Sequence, residues 1–236
     1  MEVKLFDTEA GMYHFVEKGL MTDLHAHPAT EIILAQEGFF AVHTRTAQYQ
    51  HCKAVLIPVH TPHALHAAEA VCDIILVESI LADVQTIVSQ LQITDTGEDI
   101  INLGDALLPL PLFFDFLQTH SIHTTLQDQR LVDSLYFIHA HCLQAPLRLV
   151  DIAQQVHLSP SRFSHWFKAE MGISVREYLA WVRLKFAILT ALQNGMDLTD
   201  AALSTGFFDS PHFSRKFRAF FGLKPSAVYN SRIVQD

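Results

Sequence analysis

The sequence predicts a two-domain fold: an all-β domain first, an all-α domain last, and connecting helices between them. Three observations carry this reading. The chain has 236 residues, half of them hydrophobic, which exceeds the roughly 100 to 150 residues of a common single domain and suffices for two cores. Residues 3–78 break into short apolar stretches with turn residues at close intervals. Residues 129–236 read as helices throughout and contain an internal repeat.

In the first domain, strands are predicted at Val3–Phe6, Met12–Glu17, Glu31–Ala35, Phe39–Thr44, Ala54–Ile57 and Asp73–Val77. Many short strands with regular punctuation indicate a sandwich or barrel, and too few helical stretches intervene for a parallel α/β sheet. The spacing then changes. Leu81, Val84, Ile87, Val88 and Leu91 share one side of a helix over residues 80–91. A second apolar segment, Leu107–Leu117, is interrupted by Pro109 and Pro111, which break or restart a helix. The expected division is a β-domain over 1–79, connecting and dimer-forming helices over 80–127, and a helical domain over 128–236.

Composition narrows the setting. No basic stretch followed by an apolar run opens the chain, and no window approaches the roughly 18 apolar residues of a membrane span, so a cytoplasmic protein without a membrane partner is expected. Cys52, Cys72 and Cys142 are widely spaced and form no CxxC pair, which argues against zinc-finger or redox chemistry and for reduced, buried thiols. The formal net charge is −9, but it is unevenly spread. Residues 1–131 hold 5 basic side chains against 17 acidic ones, a net −12, whereas residues 132–236 hold 11 against 8, a net +3. Phosphate attraction acts over about a Debye length, so a locally basic face serves even on an acidic protein.

The repeat lies in that basic part. A shift of 50 places Phe163 on Phe213, Phe167 on Phe217 and Gly172 on Gly222; upstream the shift is 49, Ala153 on Ala202, so one turn carries an extra residue. Each copy has a short helix (Leu149–Val156; Leu198–Ser204), a brief turn, and a second helix opened by a capping residue, Ser159 or Asp209. This is a helix-turn-helix plan. Phe163, Phe167 and Met171 share one face in the first copy, as Phe213, Phe217, Phe220 and Phe221 do in the second. The remaining faces offer Ser161, Arg162, Ser164, His165 and Lys168, and Pro211, His212, Ser214, Arg215 and Arg218. Most are short donors or cations suited to base edges and phosphates. Taken singly, each copy reads as an ordinary amphipathic helix with a solvated polar face. The pair reads differently, because a predicted helix over Val175–Asn194, whose apolar residues Val175, Leu179, Val182, Phe186 and Leu189 recur at helical spacings of 4, 3, 4 and 3, joins them. Its twenty residues span roughly 30 Å, close to the ~34 Å turn of B-DNA, which places two readers in successive major grooves.

The stretch GFFDSPHFSRKFRAFFGLKPSAVY, Gly206–Tyr229, resembles the signature of the AraC/XylS family of regulators, and DIAQQVHLSPSRFSHWFKAEMGISVREYL resembles its upstream half. The resemblance covers about residues 128–232. It implies control of transcription at promoters, double-stranded DNA as partner, and contacts with RNA polymerase. Val175 stands where the first copy often has proline, and His165 where a basic residue is common.

The chain has 15 histidines, and those of the β-domain are patterned. Gly19, His25, His27, Glu31 and Gly38, followed by Pro58 and His63, resemble in their spacing the two motifs of the cupin β-barrel. That resemblance implies a cupin barrel with His25, His27, Glu31 and His63 as metal ligands. Alternate strand residues point to one side, so His25 and His27 face the interior together. Three imidazoles and a carboxylate suit a divalent transition metal such as Zn, Ni, Mn, Fe or Cu. The alternative is a polar pocket without metal. Cys52 and His60 stand where cupins usually have glycine, and His60 and His66 read as alternative ligands, pocket-lining donors or surface residues.

Together these readings predict a homodimeric regulator, not an enzyme, in which a metal or small-molecule effector bound by the β-domain modulates promoter binding. The alternative is a cupin metalloenzyme of dioxygenase or isomerase type fused to a DNA-binding domain, which leaves the C-terminal half without a role.

Overall fold

The computed structural model describes residues 1–9, 11–78, 99–104, 128–143, 147–228 and 232–233. The helices predicted over 80–91 and 107–117 lie outside them. Contacts divide the chain into two units, Met1–Thr125 with Arg218–Asp236, and Leu126–Phe217. No helix among the described residues is long and apolar enough to cross a membrane.

The first unit is built from β1 (Glu2–Asp7), β2 (Met12–Lys18), β3 (Ala29–Glu37), β4 (Phe40–Thr44), β5 (Gln48–Cys52), β6 (Ala54–Ile57), β7 (His63–His66), β8 (Val71–Glu78), β9 (Ile101–Asn102) and β10 (Arg232–Ile233). Seven strands form one sheet in the order β10-β1-β2-β8-β3-β6-β9, and β5-β4-β7 form another. Pairing is antiparallel except between β1 and β10. The all-β expectation holds, but the ladders make two sheets and do not close into one barrel among the described residues. Central β6 is apolar throughout, β3 carries an apolar run at Ile32–Ala35 and β8 one at Ile74–Val77, and these runs are almost wholly buried on both faces. Such strands read as continuous hydrophobic runs rather than alternating ones.

All six predicted strands are present; β5, β7 and the two-residue β9 and β10 lie outside the expectation. β5 reads QYQHC and is mostly exposed, so it shows no apolar alternation. β7 reads HALH, directly after Pro62, and its two histidines hid a buried strand. That strand carries His63 into the interior, and isolated bridges pair His25 with His63 and Met21 with His66.

The helical part comprises α1 (Gln129–His141), α2 (Leu149–Gln155), α3 (Pro160–Met171), α4 (Val175–Asn194), α5 (Leu198–Ser204), α6 (Ser210–Phe221) and α7 (Pro225–Val228). α4 has the predicted bounds because both ends are signalled. Ser174 Oγ accepts the Glu177 N–H while the Glu177 carboxylate accepts the Ser174 N–H at 3.1 Å, a capping box, and Gly195 closes the helix at φ +62°. Its buried face departs from a simple apolar stripe. Of Val175, Leu179, Val182, Phe186 and Leu189, only Val175 and Val182 are buried, whereas Tyr178, Trp181, Leu184 and Lys185 are. Neighbours on more than one side of α4 spread its contacts around the helix, and the Lys185 ammonium lies over the Trp181 ring, 5.9 Å from its centroid.

Candidate nucleic-acid interface and metal centre

The two repeats fold as paired helices, α2–α3 and α5–α6. Phe163, Phe167, Phe213 and Phe217 are almost wholly removed from solvent, each contributing about 1.5–3 kcal/mol by burial. α3 opens on Ser159, whose Oγ accepts the Arg162 N–H at 3.4 Å, with Pro160 in the first helical turn. α6 opens on Asp209, whose carboxylate accepts the His212 N–H at 2.6 Å. The copies differ in their turns. Between α2 and α3 the chain takes a left-handed step at His157 (φ +55°); the matching step between α5 and α6 falls on Gly206 (φ +96°). α2 and α5 start 49 residues apart, α3 and α6 start 50 apart, so the extra residue sits in the second turn.

With their phenylalanine faces buried, the helices turn the predicted polar residues outward. Ser161, Arg162, His165, Lys168, Pro211 and Arg215 are exposed, and Ser164, His212 and Ser214 half-buried. Arg218 is exposed but engaged: its Nε and Nη2 donate to the Asp23 carboxylate at 2.9 and 2.6 Å.

The four residues expected to hold a metal lie together in the β-domain. The ligand atoms of His25, His27, Glu31 and His63 all fall within 4.8 Å of one another, and all four residues are buried. Backbone geometry brings them there. His25 and His63 exchange both backbone hydrogen bonds at 2.9 Å, and Glu31 sits in β3 opposite Ile57 of β6 and Leu76 of β8. Each imidazole is also held by a carbonyl two residues away: Nδ1 of His25, His27 and His63 lies 2.9, 2.9 and 2.8 Å from the oxygens of Asp23, Ala29 and Thr61. A carbonyl only accepts, so each Nδ1 carries a proton, which leaves each Nε2 as the ligating atom.

Nε2 of His27 and His63 face the Glu31 carboxylate at 3.2 and 2.6 Å. The His63 approach lies outside hydrogen-bonding geometry, so this Nε2 is buried without a hydrogen bond. Charge balance inside the cluster is strained accordingly. Burial, with His63 and His27 nearby, pushes the His25 pKa down to about 3. Burial opposes ionisation of Glu31 and His63 too, but here mutual attraction prevails, holding the Glu31 carboxyl well below the usual range and raising His63. In the neutral, Nδ1-protonated form of the rings the three Nε2 atoms offer lone pairs beside the carboxylate, and a cation would replace the protons that otherwise hold His27 and His63 to Glu31; the carbonyl-anchored rings match the arrangement common to metal-ligating histidines. The donor set therefore fits a divalent metal.

The other candidate histidines stand apart. His60 takes a left-handed conformation (φ +62°) and donates its N–H to the His27 carbonyl at 3.0 Å, while the His66 ring packs against His43, centroids 4.2 Å apart. Neither belongs to the four-residue group.

A family described as a helix-turn-helix domain matches residues 152–231. This third of the chain is similar to a helix-turn-helix domain. The chain is similar to the arabinose operon regulatory protein of Salmonella typhimurium, 34% identical over 106 residues covering 45% of this chain and 37% of that protein. It is also similar to the HTH-type transcriptional activator RhaR of Pectobacterium carotovorum, 33% identical over 138 residues, 57% of this chain and 47% of that protein. The chain thus spans less than half the length of either relative. Among solved structures, ToxT of Vibrio cholerae aligns over 93% of this chain and 98% of its own with a TM-score of 0.59 at 10% identity, a likeness of fold.

Three cations of the helix-turn-helix domain escaped the sequence reading. Arg176 and Arg183 of α4 and Lys216 of α6 line a cavity of about 840 Å³ that also receives Ser164 and His212. α4 was read for its apolar residues alone. Two arginines seven residues apart, hence on one helix face, were the available signal.

Proposed function

We propose that this chain is an AraC-type, sequence-specific DNA-binding regulator of transcription whose β-domain senses a divalent metal and modulates promoter binding. The observation that carries the DNA-binding half is the doubled unit: two reader helices, each with a buried phenylalanine face and an exposed polar one, joined by the capped α4. Ser161, Arg162, Ser164, His165 and Lys168 of α3, and Pro211, His212, Ser214, Arg215 and Arg218 of α6, are its contact residues. Arg215 and Arg162 suit bidentate contacts to guanine, and the serines suit phosphates or base edges. Similarity to named regulators of operons points the same way.

For the sensing half, His25, His27, Glu31 and His63 hold the metal through three Nε2 atoms and one carboxylate in a cupin-like arrangement. Bound there, the ion supplies the positive charge that this buried set lacks. The backbone carbonyls of Asp23, Ala29 and Thr61 keep the rings oriented. Ligand binding alters promoter occupancy only in so far as it favours one conformation of the protein over another. The same reading includes a homodimer and contact with RNA polymerase, in a cytoplasmic protein without catalytic residues. ToxT, whose fold this chain shares, has been crystallised with an unsaturated fatty acid; an organic effector is therefore the second reading of the β-domain.

Elemental analysis of the purified full-length protein, with duplex binding measured before and after chelation, tests both halves. Stoichiometric metal and chelator-sensitive binding are expected. Absence of metal with unchanged binding would leave the DNA reader and overturn the metal sensor.

A further inference from the structure

We propose that the cleft between the two reader helices is a seat for the DNA sugar–phosphate backbone, formed by Arg176 and Arg183 of α4 with Lys216 of α6. The proposal rests on the DNA-binding reading and assigns a further part of that interface. It starts from where the cavity lies. Ser164 of α3 and His212 of α6, one from each reader, both line it, and the arginines of α4 line it with them. A duplex that admits α3 and α6 to successive major grooves must pass its intervening backbone over the element that joins them. That element presents cations.

Arg183 is the centre of the argument. Its Nε is buried and has no hydrogen-bond partner, an uncommon state for a buried charged donor. The chain keeps room for this side chain. At Gly206 (φ +96°) a Cβ would come within 3.1 Å of Arg183 Nε and 3.3 Å of Cζ, so a side chain there would strain the turn and push the guanidinium aside by a few tenths of an ångström. The side chain also lines the cavity, and a planar guanidinium held in place there is suited to a phosphate oxygen. Arg176 is exposed and Lys216 half-buried, which adds two charges to the same cleft. The acidic group nearby is Glu177. Its carboxylate accepts from the Ser174 Oγ and N–H, and those hydrogen bonds, with Lys216 and Lys168 contributing, hold its pKa low. It is engaged at the helix cap.

A phosphate seat differs from a base reader in what it ignores. The full-length protein should be titrated with duplexes of about three helical turns, one of arbitrary sequence and one recovered by selection from random sequence, over a range of salt. Arg183→Gln should weaken binding to both duplexes by the same factor and lower the salt slope by about 1. Arg176→Gln, an exposed position where folding is not at stake, should do the same. Arg215→Ala should weaken the selected duplex alone. Unchanged slopes in both cleft variants, with Arg215→Ala still impaired, would overturn the seat and leave the DNA reader standing. Failure of the wild-type protein to bind any duplex would overturn both. If inorganic phosphate stabilises the wild type and not Arg183→Gln against heat while duplex binding is untouched, the cleft holds a free anion and the proposal fails.

Discussion

The β-domain and the helix-turn-helix domain both gather polar side chains, but they treat them oppositely. His63 is 1% exposed and His27 3%, and each ring is fixed by a neighbouring carbonyl. The reader residues of α3 and α6 are mostly in solvent, and the rings that support them are hidden beneath. On the metal-sensing reading, a small cation replaces the hydration that such a buried cluster has lost. A polar face left in water waits for a partner that brings its own counter-charges. If both proposed roles hold, burial separates a site scaled to an ion from one scaled to a duplex.

The sharpest way to break that contrast is to empty the inner cluster. Replacing His25 and His27 together by alanine should abolish bound metal in elemental analysis while the far-ultraviolet helical signal persists; full occupancy in the double variant would discard the ligand set. Next in size is the hidden support of the outer face. Phe213→Ala and Phe163→Ala should each cost about 3–5 kcal/mol in denaturant unfolding, and a loss below 1 kcal/mol would mean that these rings are not the core on which the readers rest. Arg215→Ala should leave unfolding unchanged yet weaken binding to the selected duplex by about 1–3 kcal/mol; an unaltered footprint removes it from the interface. Smallest is the cap of the joining helix. Ser174→Ala should cost about 1 kcal/mol, read as a lower midpoint, and no shift at all would show that α4 is held by packing alone.

Which of these features could be read from the residues follows from the range of the physics involved. The six apolar strands, the α4 bounds and the capped reader helices depend on local patterns, and each was legible at its own position. The cluster was legible only through the cupin resemblance, which named all four residues; strand alternation by itself paired only His25 with His27. What brings His63 to the others is β7, a four-residue strand without an apolar pattern. The carbonyl anchoring of the rings depends on backbone turns with no composition signature. Lys185 illustrates the same limit. A lysine in a helix reads as solvated, yet here its ammonium lies over Trp181 inside the fold. The cleft of Arg176 and Arg183 was hidden for a related reason: its meaning depends on Gly206, more than twenty residues further along the chain.

The two copies are related by a shift along one chain and not by a two-fold axis, and their turns are unlike, with His157 in one and Gly206 plus an added residue in the other. A symmetric pair of identical readers sees the same site from either end. Unequal readers in a fixed order do not. On the proposed DNA-binding reading, a duplex held by this chain has a left and a right, so a single bound protein would point along the DNA and tell upstream from downstream.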